Sequence, residues 1–183
     1  MANRRKASKR KKINPTLFVF CEGETEKAYV NFLKSLFRIP SIHIQPNIGG
    51  NNITTEYIEK YKQNKPTHEK DINFLIYDLD VPEILQRLLK IKNSTLLLSN
   101  PSIELWFLLH YKNQTANANS VYCCKELNNR NRIYKKGVID KKLKEKLISN
   151  FDTAIKRAKS LTKHKNPSSE VYLLIEKLVE LKK

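Results

Sequence analysis

LFVFCEGETE, residues 17–26, joins a short apolar run to three glutamates around a glycine. A run this short, rich in Phe, Leu and Val, is typical of a buried β-strand. Gly23, one of only four glycines in the chain, permits a sharp turn into a helix. The stretch INFLIYDLD, residues 72–80, has the same form, because a second apolar run ends in Asp78 and Asp80. Two strands that end in acidic residues predict an open α/β sheet with a site at its edge.

The two acidic groups predict a site for a divalent cation. Carboxylates gathered at strand ends repel one another unless a cation lies between them, and oxygen ligands suit Mg²⁺ or Mn²⁺. Asp78 and Asp80 flank one residue of an extended segment, so their side chains share a face. Glu22 follows the first strand, and Glu26 lies in the first turn of the next helix. Helix dipoles and turns also favour acidic residues without any function.

Strand and helix patterns alternate and predict a doubly wound parallel sheet. Asn100 and Pro101 form an N-cap and first-position pair, which predicts that an apolar, buried helix begins there. Thr54 or Thr55 is the expected cap of another helix. The expected strands are residues 16–21, 42–45, 72–77 and 95–98, and the expected helices include residues 28–37, 81–91 and 102–111.

Three parts are expected along the chain. Residues 1–13 form a basic arm with no apolar periodicity, which should be disordered when unbound. Residues 14–112 form the α/β domain, and residues 113–183 form a basic helical region packed on it. No strand is expected in that last region, where Asn166-Pro167 repeats the helix-start signal.

Positive charge is concentrated at two places. The net charge is +17, and residues 1–12 hold seven Lys/Arg and no acid, while residues 125–165 hold 14 Lys/Arg against four acids. Segregated positive charge is typical of a polyanion partner, here nucleic acid, although a merely solvated surface is also basic in many proteins. The expected nucleic-acid contacts are Arg4, Arg5, Lys9, Arg10, Lys11, Lys12, Arg130, Arg132, Lys135, Lys136, Lys163 and Lys165.

Several classes of protein are disfavoured. Three cysteines without a CxxC spacing support neither a disulfide framework nor a zinc site, which favours a reducing, cytoplasmic compartment. No apolar run approaches the roughly 20 residues of a membrane helix, and no apolar stretch follows the basic N-terminus as in a signal peptide. The chain also has no P-loop.

Two blocks of sequence resemble known families. Residues 19–26 (VFCEGETE) with residues 77–80 (YDLD) resemble a Toprim domain. Residues 99–111 (SNPSIELWFLLHY) and 166–169 (NPSS) resemble the RloB-like proteins of bacterial restriction and phage-defence loci. The resemblance implies a four-stranded parallel sheet between helices that binds Mg²⁺ through acidic residues.

The resemblance also reduces the number of activities to consider. Toprim domains occur in topoisomerases, primases, recombination factors and nucleases. The chain has no room for the tyrosine-bearing domain of a topoisomerase, and its cysteines provide no zinc module. The nuclease branch remains, similar to the overcoming-lysogenization-defect nucleases, whose first acids are four apart as Glu22 and Glu26 are. Such proteins often work beside a separate ATPase, so an ATPase partner is expected.

The leading hypothesis is a metal-dependent nuclease. Glu22, Asp78 and Asp80 are the expected catalytic residues, and with Glu26 they would hold one or two ions; Glu22 is an alternative general base. Glu104 lies on the apolar helix, where a charge needs a metal or a partner, so it is a further ligand, one half of a buried salt bridge or a polar contact to the backbone. A degenerate Toprim module that binds nucleic acid or recruits an ATPase, and a structural subunit, are the alternatives.

Overall fold

A five-stranded, mostly parallel sheet runs through the protein in the order β2-β1-β3-β4-β5. The computed structural model describes residues 14–39 and 43–182, so the predicted basic arm at residues 1–13 lies outside the described residues. The three pairs among β1 to β4 are parallel, and β5 is antiparallel to β4. The strands are β1 (Thr16–Cys21), β2 (His43–Ile48), β3 (Ile72–Asp78), β4 (Thr95–Asn100) and β5 (Ser168–Ser169).

Eight helices lie within the described residues, and they confirm the predicted α/β class. Thr54 is the N-cap of α2, because its hydroxyl accepts a hydrogen bond from the backbone N–H of Tyr57 at 3.2 Å. The helices are α1 (Glu24–Phe37), α2 (Thr55–Lys62), α3 (Pro82–Leu88), α4 (Ile103–Leu109), α5 (Ser120–Arg130), α6 (Lys141–Ser149), α7 (Phe151–Lys159) and α8 (Tyr172–Lys182). None of them is both long and apolar enough to cross a membrane.

The predictions of four strands and of no strand beyond residue 112 were wrong, because β5 adds a fifth strand at the edge. Its two residues carry no apolar signal. They are held by the ladder to β4 and by a 2.9 Å hydrogen bond between the buried hydroxyls of Ser99 and Ser169. Such pairing depends on a partner about 70 residues away, which local sequence patterns do not encode.

Both predicted Asn-Pro helix starts were also wrong. Asn100 is the last residue of β4, and α4 begins at Ile103 with Ser102 as its N-cap. The second pair, Asn166-Pro167, leads into β5, and both Asn-Pro bonds are cis. The helical region is disfavoured for the residue before a proline, which agrees with Asn100 ending a strand and Asn166 preceding one instead of capping a helix.

Two apolar layers cover the two faces of the sheet. Alternate residues of β1 point to opposite layers, as strand geometry requires: Val19 packs with α1 and α4, and Phe20 packs with α2 and α3. All seven residues of α4 are buried, as the sequence predicted. Residues of α5 to α8 join the same layer as α4, including Leu127, Leu143, Ala154 and Leu174.

Candidate metal centre

The ends of β1 and β3 are joined by a side chain. Glu22 follows β1, and its backbone N–H donates to the Ile76 carbonyl at 3.1 Å. Its Oε2 accepts a hydrogen bond from the backbone N–H of Asp78 at 2.9 Å. The two acidic residues that the sequence predicted to converge therefore lie side by side at the carboxyl edge of the sheet.

Asp78 links β3 to the start of α4. It is the last residue of β3 and is in register with Ser99 of β4. Its Oδ1 accepts a hydrogen bond from the backbone N–H of Ile103 at 2.9 Å. One residue thus fixes α4, which carries Glu104, against the edge of the sheet.

Glu26 lies in the first turn of α1, and only 5% of its surface is exposed. Its Oε2 accepts a hydrogen bond from the backbone N–H of Gly23, the N-cap residue, at 2.9 Å. This is the acidic half of a capping box. The contact gives Glu26 a structural role that needs no metal.

Glu104 is 1% exposed and fully engaged by neighbouring side chains. Its Oε2 accepts a hydrogen bond from the Ser102 hydroxyl at 2.7 Å, and its Oε1 accepts one from the Tyr134 hydroxyl at 2.9 Å. The ammonium of Lys136 lies 3.5 Å from the same Oε1. The buried charge is therefore both hydrogen-bonded and paired, as burial demands.

Four carboxylates at this edge of the sheet, Glu22, Glu26, Asp78 and Glu104, are here called the acidic cluster, because, after burial, the charges of the glutamates raise the pKa of Asp78 and two of them raise that of Glu26. Burial, followed by the charges of the three glutamates, raises the pKa of Asp78 to about 9. Burial also raises the pKa of Glu26, and the charges of Glu104 and Glu22 add to that effect. A cation at the cluster would relieve this repulsion.

Asp80 lies at the rim of the acidic cluster. It is exposed, two residues beyond the end of β3. Burial raises the pKa of Glu22, and the Asp80 charge raises it further, against the opposing effects of the Asp78 N–H and of Arg87. Asp80 is therefore close enough to Glu22 for its charge to raise the pKa of that carboxyl.

The donor set fits Mg²⁺ or Mn²⁺ in its chemistry, since it consists of mutually repelling carboxylate oxygens. Within residues 14–39 and 43–182, no three His, Cys, Asp or Glu side chains stand together as a ready-made metal site. One oxygen each of Glu22, Glu26 and Asp78 accepts a backbone N–H. Their other oxygens and the Asp80 carboxylate are the groups that could hold an ion.

Tyr134, Gly137 and Arg87 lie near the acidic cluster and were not predicted as residues of the metal site. Tyr134 binds Glu104, and the Thr25 hydroxyl accepts the backbone N–H of Gly137 at 3.0 Å. Arg87 of α3 lowers the pKa of Glu22 by its charge. Tyr134 and Gly137 are more than 100 residues away from Thr25 in the sequence. A short sequence motif therefore could not predict that they lie at the site.

The predicted nucleic-acid contacts have different surroundings. Arg130 forms an ion pair with Glu126 at 2.8 Å, and Lys163 forms one with Glu170 at 3.1 Å. Lys136 is the contact that reaches the acidic cluster. Three further predicted contacts are exposed: Arg132, Lys135 and Lys165. The remaining ones lie outside the described residues: Arg4, Arg5, Lys9, Arg10, Lys11 and Lys12.

Comparison with known proteins identifies the family. The protein is of the α/β class, with an acidic group at the carboxyl edge of a mostly parallel sheet. The family model described as RloB-like protein matches residues 17–178, so the chain belongs to the RloB-like family. No curated protein and no solved structure matches the chain.

Proposed function

We propose that this protein is a Toprim-type nuclease that uses Mg²⁺ or Mn²⁺ to hydrolyse phosphodiester bonds of DNA or RNA in bacterial anti-phage defence. One observation carries the proposal: the Glu22 carboxylate accepts a hydrogen bond from the backbone N–H of Asp78, whose pKa is raised to about 9 by burial and, after it, by the charges of the three neighbouring glutamates. Perturbed acids of this kind are typical of functional sites.

The proposed roles follow from position. Glu22, Asp78, Asp80 and Glu26 would hold one or two ions, and a bound ion would supply an activated water and stabilise the leaving oxygen. Glu22 is also a candidate general base, because burial raises the pKa of its carboxyl. The basic side chains would bind the phosphate backbone.

A separate ATPase is the proposed protein partner. The sequence itself contains no P-loop. This part of the proposal rests on the resemblance to the overcoming-lysogenization-defect nucleases, which often work beside a separate ATPase.

Cleavage assays test the proposal. Plasmid, single-stranded DNA and tRNA are incubated with the wild type and with Asp78→Asn and Glu22→Gln, in Mg²⁺, in Mn²⁺ and in EDTA. We expect cleavage only with metal, and a loss of at least about 100-fold in each variant, because each removes a proposed ligand of the ion. Equal cleavage by the wild type and both variants would refute the proposal.

Glu180→Gln is the matched control, because it removes one carboxylate from an exposed position in α8, where Glu180 pairs with Lys177. It should cleave like the wild type. Thermal unfolding of each variant shows whether the fold is kept. Added Mn²⁺ should raise the melting temperature of the wild type and of Glu180→Gln, but not that of Asp78→Asn.

One observation favours the alternative of a binding module without catalysis. The carboxylates of Glu22, Glu26 and Asp78 each accept a hydrogen bond from a backbone N–H. These contacts are enough to explain why acidic residues occupy the three positions without any catalytic role. A module of this kind would bind nucleic acid in a salt-dependent way, without turnover and without any need for metal. Isothermal titration with Mn²⁺ separates the two functions, since the module gives no binding heat.

A further inference from the structure

Residues 131–139, which lie between α5 and α6, are here called the strap, and they contact Glu104 of the acidic cluster through Tyr134 and Lys136. Within it, the backbone N–H of Tyr134 donates to the Asn131 carbonyl at 2.8 Å, and Lys135 and Val138 form an antiparallel bridge. The buried Asn131 side chain donates to Asp140 at 2.7 Å. These contacts give the strap one defined shape.

Two contacts attach the middle of the strap to the site. Gly137 has φ +76°, a conformation that side chains rarely adopt, and its N–H donates to the Thr25 hydroxyl at 3.0 Å. On the other side, the Tyr134 hydroxyl donates to Glu104 at 2.9 Å. The strap is therefore fixed to α1 and to α4 at once.

Glu104 has the contacts of an anchor for the strap. Its Oε2 is taken by the Ser102 hydroxyl, and its Oε1 is shared by Tyr134 and Lys136. The Cys124 thiol also lies beside it, since burial followed by the charge of Glu104 raises the pKa of Cys124 to about 11. With both oxygens engaged, Glu104 is poorly placed to bind an ion as well.

Lys136 has the position of a ligand-binding side chain. Its side chain is 61% exposed, whereas that of Glu104 is 1% exposed, so the pair spans the boundary between the interior and solvent. An ammonium has three donors, and a separation of 3.5 Å is too long for a strong hydrogen bond. Lys136 therefore keeps donors for a further anion.

We propose that Glu104 is a positioning residue that holds the Lys136 ammonium at the open side of the acidic cluster, where it binds a phosphate oxygen of the nucleic acid. The inference rests on the proposed function and reassigns Glu104, which the sequence offered as a metal ligand. Clustered carboxylates repel a phosphate backbone, so a fixed cation beside them favours its approach. Among the described residues, Lys136 is the basic side chain that pairs with the cluster.

Two binding measurements test the inference. Isothermal titration gives the affinity for Mn²⁺, and anisotropy of a labelled single-stranded oligonucleotide in EDTA, over a range of salt concentrations, gives the affinity for nucleic acid. The variants are Glu104→Gln, Lys136→Met and Asp78→Asn. Lys34→Met is the matched control, because it removes the same charge from the exposed end of α1, about 15 Å along the helix from Glu24.

Glu104→Gln and Lys136→Met should bind Mn²⁺ within about 3-fold of the wild type, because neither removes a ligand of the ion. Both should bind the oligonucleotide about 5- to 10-fold more weakly, and the salt slope should fall by about 1, as expected when one phosphate is no longer neutralised. In cleavage assays, Lys136→Met should raise KM more than it lowers kcat. Lys34→Met should match the wild type, and Asp78→Asn should lose Mn²⁺ binding.

Different results overturn the inference and the proposed function. If Glu104→Gln loses Mn²⁺ as strongly as Asp78→Asn, Glu104 is a ligand and the inference fails while the nuclease proposal stands. An unchanged salt slope in Lys136→Met also overturns it, and this variant is expected to fold because its side chain is exposed. If the wild type itself binds no Mn²⁺, the proposed function fails and the inference falls with it.

Discussion

Asp78 ends β3 at the edge of the sheet, and its pKa depends both on its buried, acidic surroundings and on a hydrogen bond. Its Oδ1 accepts a hydrogen bond from Ile103, and that contact by itself favours the charged carboxylate. Burial and three neighbouring glutamates outweigh it, since the pKa is raised from 3.8 to about 9. A side chain that only caps α4 would not need such neighbours, so this balance of effects supports the proposal of a cation site.

His110 carries a prediction about acid stability. It is buried at the end of α4, and its Nδ1 lies 2.9 Å from the Trp106 carbonyl. Burial, with smaller effects from the charges of Arg157 and Lys146, lowers its pKa from 6.5 to about 3. Between these values the unfolded chain binds a proton that the folded protein does not, so stability is present above pH 6.5 and is lost as the pH falls.

The expected size of that loss is about 2 kcal/mol between about pH 6.5 and pH 5, from about 1.4 kcal/mol per pH unit. Urea unfolding of the wild type and of His110→Gln at several pH values measures it. The wild type should lose about 2 kcal/mol more than the variant over this range. His43→Gln, at an exposed position, should keep the wild-type dependence; parallel curves for the wild type and His110→Gln would contradict the assignment.

At the scale of elements, one buried hydrogen bond joins α1 to α4. The indole N–H of Trp106 donates to the Tyr29 hydroxyl at 2.8 Å, and both side chains are fully buried. Tyr29→Phe should lower the free energy of unfolding by about 1–3 kcal/mol, because it leaves a buried donor unsatisfied. Chemical denaturation measures the change, and the double variant with Trp106→Phe should lose less than the sum of the single losses.

Tyr111→Phe is the matched control for this prediction. Within the described residues, the Tyr111 hydroxyl oxygen is buried without a hydrogen-bond partner. Its removal should therefore change stability by less than about 0.5 kcal/mol or increase it slightly. A loss in Tyr111→Phe as large as in Tyr29→Phe would mean that packing, and not the hydrogen bond, stabilises the contact between α1 and α4.

The elements also show which parts of the fold the sequence could predict. β1 and β3 are six and seven residues of nearly continuous apolar sequence, and a buried parallel strand needs no other signal. The cap at Thr54 follows from local chemistry. β5 and the true start of α4 at Ile103 depend on contacts with distant residues, so local patterns failed there.

The candidate site divides in the same way. Glu22 and Asp78 were predictable together, because the ends of neighbouring parallel strands meet at one edge. The partners of Glu104 were not, since Tyr134 is 30 residues away and comes from a segment without periodicity. The sequence left Glu104 as a ligand, half of a buried ion pair or a contact to the backbone, and its contacts with Tyr134 and Lys136 match the ion pair.

At the scale of the whole molecule, net charge and available charge differ. The chain has a net charge of +17. Within the described residues, several cations of the basic C-terminal region are already paired, including Arg130 with Glu126 and Lys159 with Glu176. A paired cation must give up its carboxylate partner before it can bind a phosphate. The number of phosphates bound should therefore be well below the number of basic residues.

Residues 1–12, whose structure lies outside the described residues, hold seven Lys/Arg and no acid to pair with them. If this arm binds phosphates, its removal should weaken oligonucleotide binding and reduce the magnitude of the salt slope by about 3 to 6, at about 0.7–0.9 for each phosphate that the arm neutralises. Anisotropy titrations over a range of salt concentrations measure the slope. A variant with all seven Lys/Arg changed to Gln should behave like the truncated chain, because charge and not length is responsible. If instead both variants keep the wild-type slope but no longer assemble with a partner protein in size-exclusion chromatography, the arm is a structural element of a complex and the polyanion surface lies elsewhere on the molecule.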